Sequence, residues 1–471
     1  MKRNYFKKTL IVTIVVILLG SGLVSGYNIL NYNSKSNSEP NCSEKIDYIL
    51  DEEFPTMPPI DLSGKEIEFI NINLINTPGE FSWKNIDGRD WTTPAKNQGN
   101  CGSCWLFSAM GAFESVINIK EGCAELDPDL SEQYVLSCLP EAGSCSGGNV
   151  ENCVFYYINS TSPAGNYHNG VITEECFEYQ SNYDYIPPCS DKPENWENFL
   201  VPILDYGESW TYENIPQLRN TIKSLVFQKG PIMVYFWASK SFIRWGTFHK
   251  QSWQYYPDHN ENCPNFVNHG ITVVGWKDDP SIGNGGYWIC KNTWGTNWGY
   301  NGFFNIEYDI LNLGGFIAWV DYDPNSFNWG PIAPEINGPT SGEPGEEYTY
   351  AFTSMDPDGD DDVYYYIDWG DGDTQEWIGP YGSGESLEIK HIWENKANYD
   401  IRAKAKDIAG RESNWATLKF NMPRNRAIDN PLLRFVENHP LLYKIFQLFF
   451  LTTTNIKVTN LSLFLFLTNF N

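Results

Sequence analysis

Basic residues are scarce in this 471-residue chain: 32 Lys and Arg stand against 59 Asp and Glu, a formal net charge of −27. That deficit excludes nucleic acid as a partner, because gripping a polyphosphate needs a basic surface. Histidine is scarcer still. Only His168, His249, His259, His269, His391 and His439 can supply an imidazole. Cysteine stops at Cys290, so a disulfide-bridged region ends there. Long apolar runs are also missing. Leu10 to Leu19 is short for a membrane anchor, and no run within residues 423–471 reaches the length that spans a bilayer. Charged residues make up 19% and hydrophobic residues 41%, so most of the chain should fold, and its length suits two or three domains.

The densest chemistry lies in residues 98–105, Gln98-Gly99-Asn100-Cys101-Gly102-Ser103-Cys104-Trp105. Leu106, Met110, Phe113 and Ile117 follow at helical spacing. Ser103 is a natural N-cap for that helix, which places Cys104 in its first turn. There the positive end of the backbone dipoles favours thiolate. The side-chain amide of Gln98 can return toward the same point as a donor to developing negative charge. Cys101-x-x-Cys104 lacks the second ligand pair that zinc needs, and no βαβ unit precedes it as in a redox pair.

Further on, Ile271 to Trp276 and Tyr287 to Lys291 read as buried strands, as does Pro231 to Phe236. Asp278, Asp279, Pro280, Gly283, Asn284, Gly285 and Gly286 mark a turn between the first two. An antiparallel hairpin brings its two outer ends together. His269, just before one strand, and Asn292, just after the other, then stand at the same end of the sheet. A base and the group that orients it require that placement.

Cys-Gly-Ser-Cys-Trp resembles the signature of the papain/cathepsin family of cysteine peptidases. Lys96-Asn97-Gln98-Gly99, Asn268-His269-Gly270, Lys291-Asn292-Thr293-Trp294-Gly295 and the stretch from Phe81 to Lys96 are similar to that family too. The resemblance runs from about Phe81 to Asp323. It implies Cys104 as nucleophile, His269 as its proton partner, Asn292 as the orienter of His269 and Gln98 as an oxyanion donor. It implies Trp294 as a shield over the His269–Asn292 bond and Gly147-Gly148 as bare backbone against a bound peptide. It pairs Cys101 with Cys145, and Cys138 with a later cysteine, Cys176 or Cys189. It implies no metal and no organic cofactor. His269 follows Cys104 by 165 residues, more than the roughly 130–150 usual for the family. Residues 181–216 and Trp237 to Tyr256 are candidates for inserted loops.

On the N-terminal side, Lys2, Arg3, Lys7 and Lys8, the apolar run and Val24-Ser25-Gly26 make residues 1–26 read as a secretory signal peptide, with an uncleaved membrane anchor as the rival reading. Residues 27–80 are then a short propeptide or linker, with Pro55 to Pro59 its distinctive patch. With Cys104 kept free, ten cysteines remain for disulfides in an exported chain.

Pro331, Pro334, Pro339 and Pro344 with Gly338, Gly342 and Gly345 mark a linker. Residues 346–422 alternate apolar and polar side chains, as an all-β sandwich does. Asp368-Trp369-Gly370-Asp371-Gly372-Asp373, His391-Ile392-Trp393 and Tyr399-Asp400-Ile401 resemble a polycystic-kidney-disease (PKD) type domain. Asp356, Asp358, Asp360, Asp361 and Asp362 are dense enough to suit Ca²⁺, but no glutamate completes an EF-hand, and the loop reads as solvated. The apolar residues of 423–471 suit a membrane-associated tail or a helix packed on the sandwich.

The expected fold class is α+β: a two-lobed papain-like domain, helical lobe plus β-rich lobe, over 81–328, then an immunoglobulin-like sandwich over 331–422. The expected protein is an exported cysteine endopeptidase acting on peptides or proteins, with cell-surface or polymer contact through the PKD-type domain. Two other classes fit: a surface-binding protein whose protease domain is inert, and a peptide ligase using the same acyl-enzyme.

Overall fold

The structure is a computed structural model. It describes residues 54–422 and His439, apart from 64, 66–71, 160–168, 183, 212–214, 258–264, 325 and 359–361. The expected signal peptide over 1–26, residues 27–53, Cys42, Cys263, His168, His259, Asp360, Asp361 and the tail over 423–471, His439 excepted, lie outside the described residues.

One helix, α1 (Cys104–Glu121), organises the first lobe. Its apolar stripe predicts one buried face, yet every residue from Cys104 to Asn118 is buried. The polar side of the helix can be buried because it is partnered. The Glu114 carboxylate meets Lys96 Nζ at 2.6 Å and accepts from Leu130 N and Thr93 Oγ1. Gly122, at φ 69°, ends the helix in the left-handed conformation. Two shorter helices, α2 (Glu132–Cys138) and α3 (Val154–Asn159), pack beside it.

The second lobe is a seven-stranded sheet. Its strands are β1 (Glu80–Ser82), β2 (Asp205–Trp210), β3 (Ile232–Phe236), β4 (His269–Asp278), β5 (Gly286–Lys291), β6 (Phe303–Glu307) and β7 (Phe316–Asp321). The order is β6-β5-β4-β3-β7-β2, with β1 pairing on β4. Strand β4 is the axis. Ile271, Val273, Val274 and Trp276 leave it buried from His269 to Trp276, as a central strand should be. It pairs antiparallel with β5, Thr272 opposite Lys291, which brings His269 and Asn292 to one end as the hairpin reading requires. Helices α4 (Ile215–Lys229) and α5 (Lys240–Phe248) belong to this lobe; α5 lies within the stretch read as an insertion. The lobes meet where α1 crosses β4: Thr272 Oγ1 donates to Ser108 O at 2.8 Å. A Cβ on Gly270 would come within 2.7 Å of Ser108 Oγ and 2.8 Å of Cys104 O, so only glycine permits this approach.

Two disulfides tie the first lobe: Cys101–Cys145, and Cys138–Cys189, which resolves the choice left open between Cys176 and Cys189. Cys123, Cys153, Cys176 and Cys290 are buried free thiols, so the bridged set is smaller than the cysteine count suggested.

Past residue 334, a three-stranded sheet (Glu335–Asn337, Glu347–Thr353, Ser386–Ile392) faces a four-stranded one (Val363–Asp368, Thr374–Tyr381, Asn398–Lys406, Ala416–Asn421). Tyr350, Tyr365, Trp369, Trp393 and Phe420 fill the space between them. The turn motif closes on itself: His391 stacks on Trp369 at 4.5 Å and its Nε2 lies 2.8 Å from Asp371 Oδ2. Part of the acidic loop is structural rather than solvated. Asp356 is buried, and Asp358 accepts from Trp329 N at 2.8 Å.

Candidate active site

Cys104 opens α1, and its side chain is fully buried. Ser103 does not cap the helix with its side chain; its hydroxyl lies 3.2 Å from Tyr179 OH instead. Across the lobe boundary, His269 Nε2 lies 2.8 Å from Asn292 Oδ1. That oxygen also accepts from Thr293 N at 2.9 Å, so it is the acceptor end of the amide that faces the ring. Nε2 therefore carries the proton, and the Nδ1 lone pair is left over. Nδ1 is buried and makes no hydrogen bond. Trp294 stacks on the ring at 4.3 Å and shields the Asn292 bond, and Trp298 packs edge-on against Trp294 at 5.1 Å.

Gln98 is fixed at both ends of its side chain. Oε1 accepts from Thr293 Oγ1 at 2.5 Å, which turns Nε2 toward Cys101 O at 2.7 Å and toward the cleft. Within the cleft Nε2 also donates to Pro55 O at 3.2 Å.

Pro55 belongs to a segment the sequence places only loosely. Residues 54–62 run across the site. Trp294 Nε1 donates to Pro55 O at 3.1 Å, and Met57 N donates to Asn268 O at 3.0 Å. Ile60–Asp61 pairs antiparallel with Phe266–Val267, and Leu62 N reaches Asn265 O at 2.7 Å. Met57 and Leu62 are each 2% exposed. Of the two glycines expected to receive peptide backbone, Gly147 faces this segment, where a Cβ would come within 3.2 Å of Pro58. Gly148 instead leaves room for the Trp105 ring, 2.9 Å from where a Cβ would stand.

This cover corrects the expectation that the start of the helix makes Cys104 a thiolate. Burial pushes the Cys104 thiol up to about 11, against backbone hydrogen bonds from Gly270, Met57, Trp105 and Cys104 that pull it down. Burial also lowers His269 to about 4, opposed by its bond to Asn292. A helix terminus contributes roughly 0.3–1 kcal/mol, less than the cost of a charge without water. Both groups are neutral in this state.

The profile of the papain family cysteine proteases matches residues 77–316, about half of the chain. Cathepsin J of Mus musculus is 32% identical over 250 residues, 51% of this chain and 66% of its own length. Procathepsin L of Felis catus is 31% identical over 252 residues, 53% of this chain and 66% of its own. The chain thus spans just under two thirds of each of these relatives. A solved PKD domain of an M14-like peptidase from Thermoplasmatales archaeon SCGC AB-540-F20 is 52% identical, covering 21% of this chain and 99% of its own, at a TM-score of 0.20. The chain belongs to the papain family of cysteine proteases.

Sequence reasoning missed Asn268, Thr293 and Tyr179 as site-building residues. The first two stand beside His269 and Asn292, and adjacency was a usable signal. Nothing local in the sequence ties Tyr179 to Gln98.

Proposed function

We propose that the chain is an exported cysteine endopeptidase made in a closed form, with residues 54–62 as the cover of its own cleft. The observation that carries this reading is the hydrogen-bond pattern at His269: Asn292 Oδ1 takes Nε2–H and a lone pair is left on buried Nδ1, while the next residue, Gly270, lies against the backbone of Cys104. With the segment displaced, water reaches both groups and the burial penalty falls. His269 Nδ1 then takes the Cys104 proton, giving thiolate and imidazolium. The sulfur attacks the peptide carbonyl carbon, and the oxyanion is met by Gln98 Nε2–H and the Cys104 backbone N–H. The imidazolium gives its proton to the departing amine as the C–N bond breaks. Water, activated by His269, hydrolyses the thioester. Asn292 holds the ring throughout, as an acid does in the serine triad.

Export is supported by the basic and apolar start of residues 1–26 and by two disulfides in the first lobe. The sandwich is read as a PKD-type module that contacts a polymer or cell surface. Among the described residues no helix is long and apolar enough to cross a membrane.

A peptide epoxide that alkylates thiols tests the reading. Once the chain hydrolyses a fluorogenic peptide at a steady rate, mass mapping should find the label on Cys104, and Cys104→Ala should abolish hydrolysis with the fold intact. Near wild-type hydrolysis by Cys104→Ala would refute the assignment.

A further inference from the structure

Tyr179 comes from the segment after Val171–Ile172, far in sequence from Gln98 and Cys104. Its neighbourhood is tightly tied. Tyr179 N donates to Glu174 Oε1 at 2.6 Å, Gln180 N to Gln133 Oε1 at 2.8 Å, and Ser181 Oγ to the same oxygen at 3.0 Å. The ring stands edge-on to Phe107 of α1 at 4.9 Å. The hydroxyl lies 2.9 Å from Gln98 O and 3.2 Å from Ser103 Oγ.

Proton counting fixes the direction of both bonds. Gln98 O can only accept, so the one phenolic hydrogen goes there. Ser103 Oγ–H must then donate to the Tyr179 oxygen. A serine at an N-cap ordinarily turns its oxygen back over the first-turn N–H groups. Here the Ser103 backbone oxygen accepts from Leu106 N at 2.9 Å and Phe107 N at 3.1 Å, while its side chain makes no cap bond. Trp105 N–H, the one first-turn donor that a cap oxygen could still claim, is thereby left to the Cys104 thiol, whose pKa it pulls down.

We infer that Tyr179 is a positioning residue: its hydroxyl anchors the Gln98 backbone and draws Ser103 off the helix end, so that Trp105 N–H stays open to the thiolate. This rests on the reading of Cys104 as nucleophile. In the absence of the hydroxyl, Ser103 Oγ swings onto the helix terminus and competes with the sulfur for Trp105 N–H, and Gln98 loses an anchor.

The test uses the full-length chain brought to steady hydrolysis of a fluorogenic peptide, with Tyr179→Phe as the variant that deletes one oxygen. The expected result is a fall in kcat of roughly tenfold with KM within about twofold, short of the loss on deleting an oxyanion donor outright. The acidic limb of kcat/KM, and of Cys104 alkylation by iodoacetamide, should move up by about half a pH unit. Adding Ser103→Ala to Tyr179→Phe should recover most of both losses, because the competing oxygen is gone. An unchanged acidic limb, even with a lower melting temperature, overturns the inference, as does a double variant no better than the single one. If the wild-type chain itself neither hydrolyses peptide nor alkylates Cys104 faster than its other thiols, the nucleophile assignment fails instead.

Discussion

Cys104 and His269 are both neutral in the closed form, and the direction of each shift says when that form gives way. His269 is lowered to about 4, below its ordinary 6.5. In a Cys104→Ala chain, where no thiol proton can pass to the ring, the opened protein takes up between those values a proton that the closed one refuses, so closure is favoured above pH 6.5 and weakens as pH falls toward 4. A shift of that size is worth on the order of 3 kcal/mol at the acid end. With Cys104 present the opened ring already holds the thiol's proton, so both states bind the same number over that range and the dependence disappears. At the alkaline end the opened wild-type pair loses its shared proton before a closed thiol raised to about 11, and closure weakens there. Hydrogen exchange at the Met57 amide, which is bonded to Asn268 O, reports the closure. Its protection factor in Cys104→Ala should decline from pH 6.5 to 4, and adding His269→Asn should remove most of that decline. Protection independent of pH in Cys104→Ala would refute the linkage. The identities of these residues were legible in the sequence because their motifs are local. Their charge states were not, since burial by residues 54–62 is a long-range contact that no spacing encodes.

At the scale of elements, legibility followed periodicity. Strands β4 and β5 are apolar runs around a turn of Asp, Pro, Gly and Asn, and both formed the expected hairpin. Helix α1 was found from one stripe of four residues, but its full burial depends on partners for Glu114 that come from residues 93, 96 and 130. The capping expectation at Ser103 failed because a tyrosine 76 residues away competes for the hydroxyl. The other end of α1 behaves as local rules say. Gly122 sits at φ 69° with nothing within 4 Å of where a Cβ would stand, so backbone strain alone opposes substitution. Gly122→Ala should destabilise the protein by about 1 kcal/mol. A lower urea midpoint at unchanged slope, with peptide hydrolysis intact, is the expected result. An unaltered midpoint would show that the helix frays before that residue.

For the whole molecule, the change in composition near residue 330 marks where one compact region hands over to the next, yet the join is not a bare tether. Trp329, one residue past the end read from composition, is 6% exposed and packs with Phe327 at 4.7 Å. Its Nε1 donates to Tyr322 OH at 3.1 Å, and Tyr322 OH donates to Glu121 Oε1 at 2.6 Å, at the end of α1. The sandwich grips the same stretch through Asp358 Oδ2 on Trp329 N and through Arg411, whose guanidinium donates to Asn198 O at 2.6 Å and stands 4.4 Å over Phe327. Linker proline and glycine were visible in the sequence; the grip was not, because Arg411 and Asn198 are 213 residues apart. Two shortened chains separate the consequences. One ending after Gly330 keeps Trp329 and loses only the sandwich, which is expected to contribute nothing to the chemical step. Its kcat/KM on a short fluorogenic peptide should stay within roughly threefold of the full chain, under about 0.7 kcal/mol in transition-state stabilisation. Cleavage of large or immobilised substrates should suffer more, because a tethered second contact raises effective concentration. A chain ending at Asn328 also loses the indole from the core, at about 3 kcal/mol or more, and should melt well below the other. A folded chain ending after Gly330 that loses a hundredfold on the short peptide would mean that Asp358 and Arg411 hold the cleft in shape, and that the catalytic unit extends into the sandwich.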